Sequence, residues 1–534
     1  MRTTNMNKKI AKTQLLLALM VTVAMLLTRS AEAAAPGITG PTFNLTAQPA
    51  FITQPDGSFV YSWGYGCNGA PAGFLPAAIS SATCSLMQVP GPTLIVTQGQ
   101  TVTVNLVNNL PARAGNTSIL FPGFNVATVG GVAGLLTQEA VPATGAGCVP
   151  ATACVSYTFT ATTPGTRAYY SGTQGDLQVE MGMYGAIIVL PSTIPAACTS
   201  GVHTSNLSAQ GSHGEANFRL AAAAYSHPGA CYDREYLFQF SEMDPRIHRE
   251  AEEIATCVAA GAVTCPANMD GVATEPYVPA FFMINGRSMP DLMDGNYAPE
   301  YPHQPYNGNP HMHPGELVLL RIIGQGRWQH PFHEHGNHVR ILARDGNLIQ
   351  SATDPANNLA GPLLFTTSTT PGQAMDGIFY WTGKGLNWDP YGHAAGVTQA
   401  SCTPDANGYN TGSPLATNYF EWCQDHNKPL QAFPVGSVGA GGPVTLPNPN
   451  IFANGAWYGG SPYLGPEATV RAVGSTGTTP PSGTVANSPT EEAGFAFMWH
   501  SHAEREITTN NIFPGGMMMM MLVDSREFVI DESF

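Results

Sequence analysis

Charge is scarce in this 534-residue chain: only 11% of its residues are Asp, Glu, Lys or Arg. The little there is leans acidic, with 36 acidic against 21 basic side chains and a formal net charge of −15. No basic cluster follows the first dozen residues, so no positive patch can face phosphates, and nucleic acid is not expected as a partner. A second long apolar run is also missing. The first, "LLLALMVTVAMLL" at 15–27, is shorter than a bilayer span. It follows Arg2, Lys8, Lys9 and Lys12 and precedes the small-residue "AEA" at 31–33, the pattern of an export signal cleaved near Ala34. The chain is therefore expected in the periplasm, on the cell surface or outside the cell, with no stable membrane insertion after cleavage. Gly-rich phosphate loops and Ser-His-Asp signatures are lacking, which removes nucleotide-driven and serine-nucleophile chemistry. No long, capped stretch of 3.6-residue periodicity follows the amino terminus, so long helices are not expected.

Turn formers are plentiful instead, with 58 Gly and 44 Pro. Between them lie short β-branched runs such as "GPTLIVTQGQTVTVNLVNNLP" (91–111), "VSYTFTATTPGTRAYYSG" (155–172) and "MYGAIIVLP" (183–191). Further runs are "REYLFQFSEMDP" (234–245), "PAFFMINGRSMPD" (279–291), "GELVLLRIIGQGRWQHPFHEHGNHVRILARDG" (315–346) and "GFAFMWHSH" (494–502). Such runs predict an all-β chain. They group as a first domain at 40–195, a linker at 196–230 and a second domain at 231–534, with a loop-rich insertion at about 348–490. Ten cysteines fall in sequential couples, and an even count in an exported chain indicates disulfides. Sequence leaves their connectivity open. Neighbour pairing is the first expectation: Cys67 with Cys84, Cys148 with Cys154, Cys198 with Cys231, Cys257 with Cys265, and Cys402 with Cys423.

Histidine carries the chemistry. "HMH" contains His311 and His313, "HPFHEHGNH" contains His330, His333, His335 and His338, and "WHSH" contains His500 and His502. Histidines two apart on a strand share a face, and imidazole suits copper, zinc, iron and nickel. His333, His335, His500 and His502 together therefore predict a metal site. His311 and His313 fit a metal site or a structural role equally. Isolated histidines such as His203, His213, His227, His393 and His426 read as ordinary hydrogen-bonded residues. Period-two alternation turns Glu334 away from His333 and His335, where Arg340 or Arg505 would pair with it. Met517–Met521 read mainly as a buried final strand.

These motifs resemble the multicopper oxidases, built from cupredoxin β-sandwiches. "HPFHEHGNH" is similar to that family's His-Pro-x-His-Leu-His-Gly-His motif, and "WHSHAERE" with the later "GGMMMMM" to its closing His-Cys-His motif and trailing methionine. The resemblance implies tandem cupredoxin-like Greek-key sandwiches, a two-domain subgroup that often forms a homotrimer, and copper as cofactor. By position, His330 would serve the type 1 copper, His333 the type 2, and His335, His500 and His502 the type 3 pair, with Met517 in the axial position. Several ligands are replaced. Ser501 stands where the type 1 cysteine belongs and Glu506 where its second histidine belongs. In the first module, Leu120, Pro122, Tyr170 and Gly172 occupy ligand positions. Ser501 lacks the thiolate of a blue copper site, which also argues against a nitrite-reductase-like enzyme. The metal-ligand set expected is therefore His333, His335, His500 and His502, with His330 and Glu506 as further candidates, holding copper or another divalent transition metal. The expected function is that of an exported copper-binding protein with oxidoreductase activity on a small-molecule or metal-ion substrate. The alternative is a non-catalytic cupredoxin scaffold that binds a partner.

Overall fold

The computed structural model describes residues 34–532 apart from 146, 260–263, 355, 357, 385–402, 417, 425–459, 464–468, 471–484 and 487–493. The expected export signal lies outside the described residues.

Two β-sandwiches follow one another. In the first, one sheet orders the strands Gly165–Tyr170, Tyr184–Leu190, Leu94–Thr97, Gly37–Thr39 and Phe74–Leu75. The facing sheet orders Phe59–Cys67, Thr42–Thr53, Thr101–Asn108, Cys154–Thr160 and Ala127–Gly130. Thr101–Asn108 shows why these segments are strands. Val102, Val104 and Leu106 point into the core and Thr101, Thr103 and Asn105 outward, the period of two that a half-buried strand requires. The second sandwich joins a sheet around Arg234–Met243, Leu317–Gly324, Ala374–Tyr380 and Val339–Arg344 to one around Met518–Asp524, Gly494–Ser501, His330–Glu334 and Thr366–Thr369. Aromatic rings fill the space between them: Phe332 lies 4.8 Å from Phe240 and 6.1 Å from Trp499, centroid to centroid. The all-β, cupredoxin-like expectation holds.

Four disulfides join Cys67 to Cys84, Cys148 to Cys154, Cys198 to Cys231 and Cys257 to Cys265, as neighbour pairing predicts. Cys402, of the fifth expected pair, lies outside the described residues. Three segments depart from expectation. A helix occupies Pro245–Thr256, where none is expected. Asp244 caps it through Arg246 N, Pro245 opens it, and Ile247, His248 and Ala251 are buried, a start signal short enough to pass unnoticed beside the strand before it. The stretch 196–230, read as a linker, carries the helix Val202–Ser212. Asn206 and Gln210 of that helix donate to Asp233 and Glu316 of the second sandwich. The strands Thr366–Thr369 and Ala374–Tyr380, inside the stretch read as an insertion, belong to the second sandwich.

The sandwiches meet along the strand Gly165–Tyr170, which lies against Ala374–Tyr380. Thr166 donates to Asp376 through its hydroxyl (2.6 Å) and its backbone N–H (3.1 Å). Tyr225 adds a third donor to the same carboxylate. Arg321 lies 3.7 Å from Asp376 and 2.8 Å from Glu235, and its paired carboxylates outweigh the burial that would otherwise lower its pKa. A buried pair is costly to break because the surviving charge stays buried without its partner. Asp376→Ala should therefore destabilise the protein by about 3 kcal/mol or more. Urea unfolding would check this, and a change below about 1 kcal/mol would contradict it.

Candidate metal centre

The strands His330–Glu334 and Gly494–Ser501 run antiparallel, with Phe332 opposite Ser501 and His333 opposite His500. Directly opposed residues share a face. His333 and His500 therefore leave the sheet on its outer side, while His330, Phe332, Glu334, Trp499 and Ser501 turn inward. His335, just beyond its strand, joins the outer group: its ring centroid lies 4.8 Å from that of His333 and 5.2 Å from that of His500. His502 lies 4.7 Å from His333, also ring to ring. One nitrogen from each of His333, His335 and His500 falls within 4.8 Å of the others.

Their surroundings hold these rings in place. His333 Nδ1 is hydrogen-bonded to the Thr366 hydroxyl at 2.7 Å. His500 Nδ1 lies 2.7 Å from the Ser501 carbonyl, which can only accept, so this nitrogen carries the proton and Nε2 the lone pair. Trp499 Nε1 donates to the His335 carbonyl at 2.8 Å. Burial, reinforced by His335, His502 and His500, lowers His333 to about 4. Burial also lowers His500. Both rings are neutral at pH 7, the form that binds metals. The side chain of His502 is 51% exposed, the least constrained of the four. Three convergent neutral imidazoles with a fourth beside them fit one transition-metal ion.

His330 and Glu506 are not part of this group. The His330 ring is buried inside the sandwich, with Nε2 2.8 Å from Glu242 and Nδ1 2.8 Å from Glu506. Ser501 donates its hydroxyl to Glu506. Burial alone would lower the pKa of His330, but the hydrogen bonds and charges of the two carboxylates outweigh it and raise the pKa to about 9. Sequence reasoning missed Glu242. Its one signal is an acid inside a strand, Arg234–Met243, that is buried at every position.

Glu334 does face away from the histidines, but neither expected arginine pairs with it. Arg340 donates to the Gly361 carbonyl and Arg505 to the Pro279 carbonyl. Glu334 instead accepts the Thr367 hydroxyl at 2.6 Å in the core, where burial raises its pKa to about 8. His311 and His313 take the structural role. His311 Nδ1 meets Asp524 at 2.6 Å, and His313 lies between the Asp524 carbonyl and Glu215. Met517, Met519 and Met521 lie in the core, as a buried strand predicts.

Residues 81–193 match the multicopper oxidase family model. The match is confined to the first sandwich. Among solved structures, the chain is similar to the multicopper oxidase mgLAC, with 14% identity and a TM-score of 0.42 over 90% of this chain and 86% of that one. A blue copper oxidase from Nitrosomonas europaea shows 14% identity and a TM-score of 0.41, over 90% and 85%. A copper nitrite reductase from Nitrosomonas europaea shows 17% identity and a TM-score of 0.36, over 64% and 84%. No curated protein sequence matches the chain. The matched stretch at 81–193 contains no histidine, since the first in the chain is His203. Where the resemblance implies ligand positions, Leu120 N donates to the Tyr170 carbonyl at 2.8 Å, and a Cβ on Gly172 would fall 2.8 Å from Leu120 Cγ, so carbon closes the space.

Both raised groups bear on stability in the same direction. A group whose pKa is higher folded than unfolded stabilises the fold below its ordinary pKa and loses that contribution as pH rises through the folded value. For His330 the loss runs up to about 9, and for Glu334 up to about 8. The metal-free protein should thus lose thermal stability between about pH 7 and pH 9. Glu334→Gln keeps an acceptor for Thr367 and should shallow that decline. Melting curves across this range would check both, and an identical slope in the variant would refute the assignment to Glu334.

Proposed function

We propose that this chain is an exported, copper-binding protein of multicopper-oxidase type, reduced to a single metal held by His333, His335 and His500 with His502 beside them. The observation that carries the reading is the convergence of three imidazole nitrogens within 4.8 Å. Family likeness and an all-nitrogen donor set favour copper. Four disulfides support an oxidising, extracytoplasmic location. Bound copper would supply one-electron redox chemistry at this face. The surrounding residues would orient and shield it. Thr366 and the Ser501 carbonyl hold two rings, and Phe365, its ring 5.7 Å from His333, covers part of the approach. His502, 3.5 Å from the exposed Glu504, would complete the shell on the solvent side. A small-molecule or metal-ion substrate would approach from that side.

The absence of histidine from the first module favours a second reading, a cupredoxin scaffold without catalysis. Metal analysis after copper loading separates the two. The first reading expects one copper per chain and no intense blue band. It expects His335→Ala or His500→Ala to weaken binding by more than about 100-fold, and Thr366→Ala by about 10-fold, in line with losses from ligand-orienting partners. Absence of copper from the loaded wild-type protein would leave the scaffold reading.

A further inference from the structure

We propose that the blue-copper position of this chain is closed by a proton: His330 is held as an imidazolium between Glu242 and Glu506, and this buried ion triad takes the place of the metal. Hydrogen-bond inventory carries the inference. A carboxylate can only accept, so a ring with a carboxylate oxygen 2.8 Å from each nitrogen must carry a proton on both. An imidazolium has no lone pair to offer a metal, and either nitrogen would have to give up its carboxylate first. Glu506, which stands where a histidine ligand belongs, is held by the Ser501 hydroxyl, which stands where the thiolate belongs. The two replacements therefore form one hydrogen-bonded unit.

Glu242 is built in as firmly. The backbone N–H groups of Arg327 and Trp328 donate to its Oε1 at 2.7 and 2.9 Å, and the Tyr277 hydroxyl lies 3.2 Å from the same oxygen. The turn that presents these donors passes through Gly326 at φ +62°, where an added Cβ would come within 2.4 Å of the carboxylate. The turn thus fits around a carboxylate. Beyond it, Tyr277 donates to Glu180 of the first sandwich at 2.6 Å, and His248 lies 3.6 Å from Glu180. Arg327 stacks over the Tyr277 ring. With one imidazolium and two carboxylates the triad carries a net charge of −1, offset by hydroxyl and backbone donors. The pKa of His330, raised to about 9, agrees with this geometry.

The triad is independent of metal binding at His333, His335 and His500, and its test reads protons. Side-chain ¹H–¹⁵N spectra of the whole mature protein, metal-free and with zinc(II), would identify the ring lost in His330→Gln. If that variant does not fold, Glu242→Gln and Glu506→Gln identify the same ring by shifting it alone. Protons on both nitrogens at pH 7, retained to about pH 9 and unmoved by zinc, support the triad. Glu242→Gln should lower the pH at which this proton is lost by about 1 unit or more. A neutral ring at pH 7 beside a protonated carboxyl, or a zinc-induced shift of ligation at this ring, would overturn the proposal.

Discussion

One cross-strand register organises this chemistry. Phe332 opposite Ser501 and His333 opposite His500 set every side chain of two neighbouring strands on one side of a sheet or the other. The outer side receives the imidazoles that converge. The inner side receives Phe332 and Trp499 for the core, His330 and Ser501 for the ion triad, and Glu334. A slip of one residue would exchange the two sets, burying the imidazoles among aromatics and exposing the core. The aromatic packing of Phe332 against Phe240 and Trp499 prevents that slip. Hydrophobic burial thus positions a site whose own residues are polar.

How much was legible follows from the range of the interactions. His-x-His spacing, strand alternation and neighbouring cysteines act over a few residues, and all are visible in the chain as written. The convergence of the outer histidines and the four described disulfides follow from them. Glu242 is 88 residues from His330 and reaches it only because separate strands are folded together. Glu334 pairs with a threonine on a neighbouring strand, while Arg340 and Arg505 donate to the backbone carbonyls of Gly361 and Pro279. The helix Pro245–Thr256 was readable in principle from Asp244 and Pro245, but its apolar positions are few. The strands at 366–380 were obscured by Gly, Pro and Thr around them, although Ala374–Tyr380 is paired on both sides within its sheet.

The scarcity of charge makes its placement informative. Arg321 with Glu235 and Asp376, Arg234 with Glu215 and Glu316, and His330 with Glu242 and Glu506 are all buried. Arg321 sits where the two sandwiches meet, and the Arg234 group joins the helix-bearing stretch at 196–230 to the second sandwich. Breaking one partner of such a group costs more than the intact group adds in net stability. The Arg321 group works beside apolar packing at the same junction, where Ala168, Ala186 and Ile188 of the first sandwich meet Leu237, Ile323 and Ala374 of the second.

The turn at Gly326 has a consequence for which substitutions the residues around Glu242 tolerate. Ser501→Cys would remove the hydroxyl that holds Glu506 and leave that carboxylate buried beside a thiol. Glu506→His would crowd a second ring against His330. Removing Glu242 would leave the backbone donors around Gly326 facing an empty space. Each single replacement is unfavourable while the other two residues remain, so Glu242, Ser501 and Glu506 tolerate substitution only as a set.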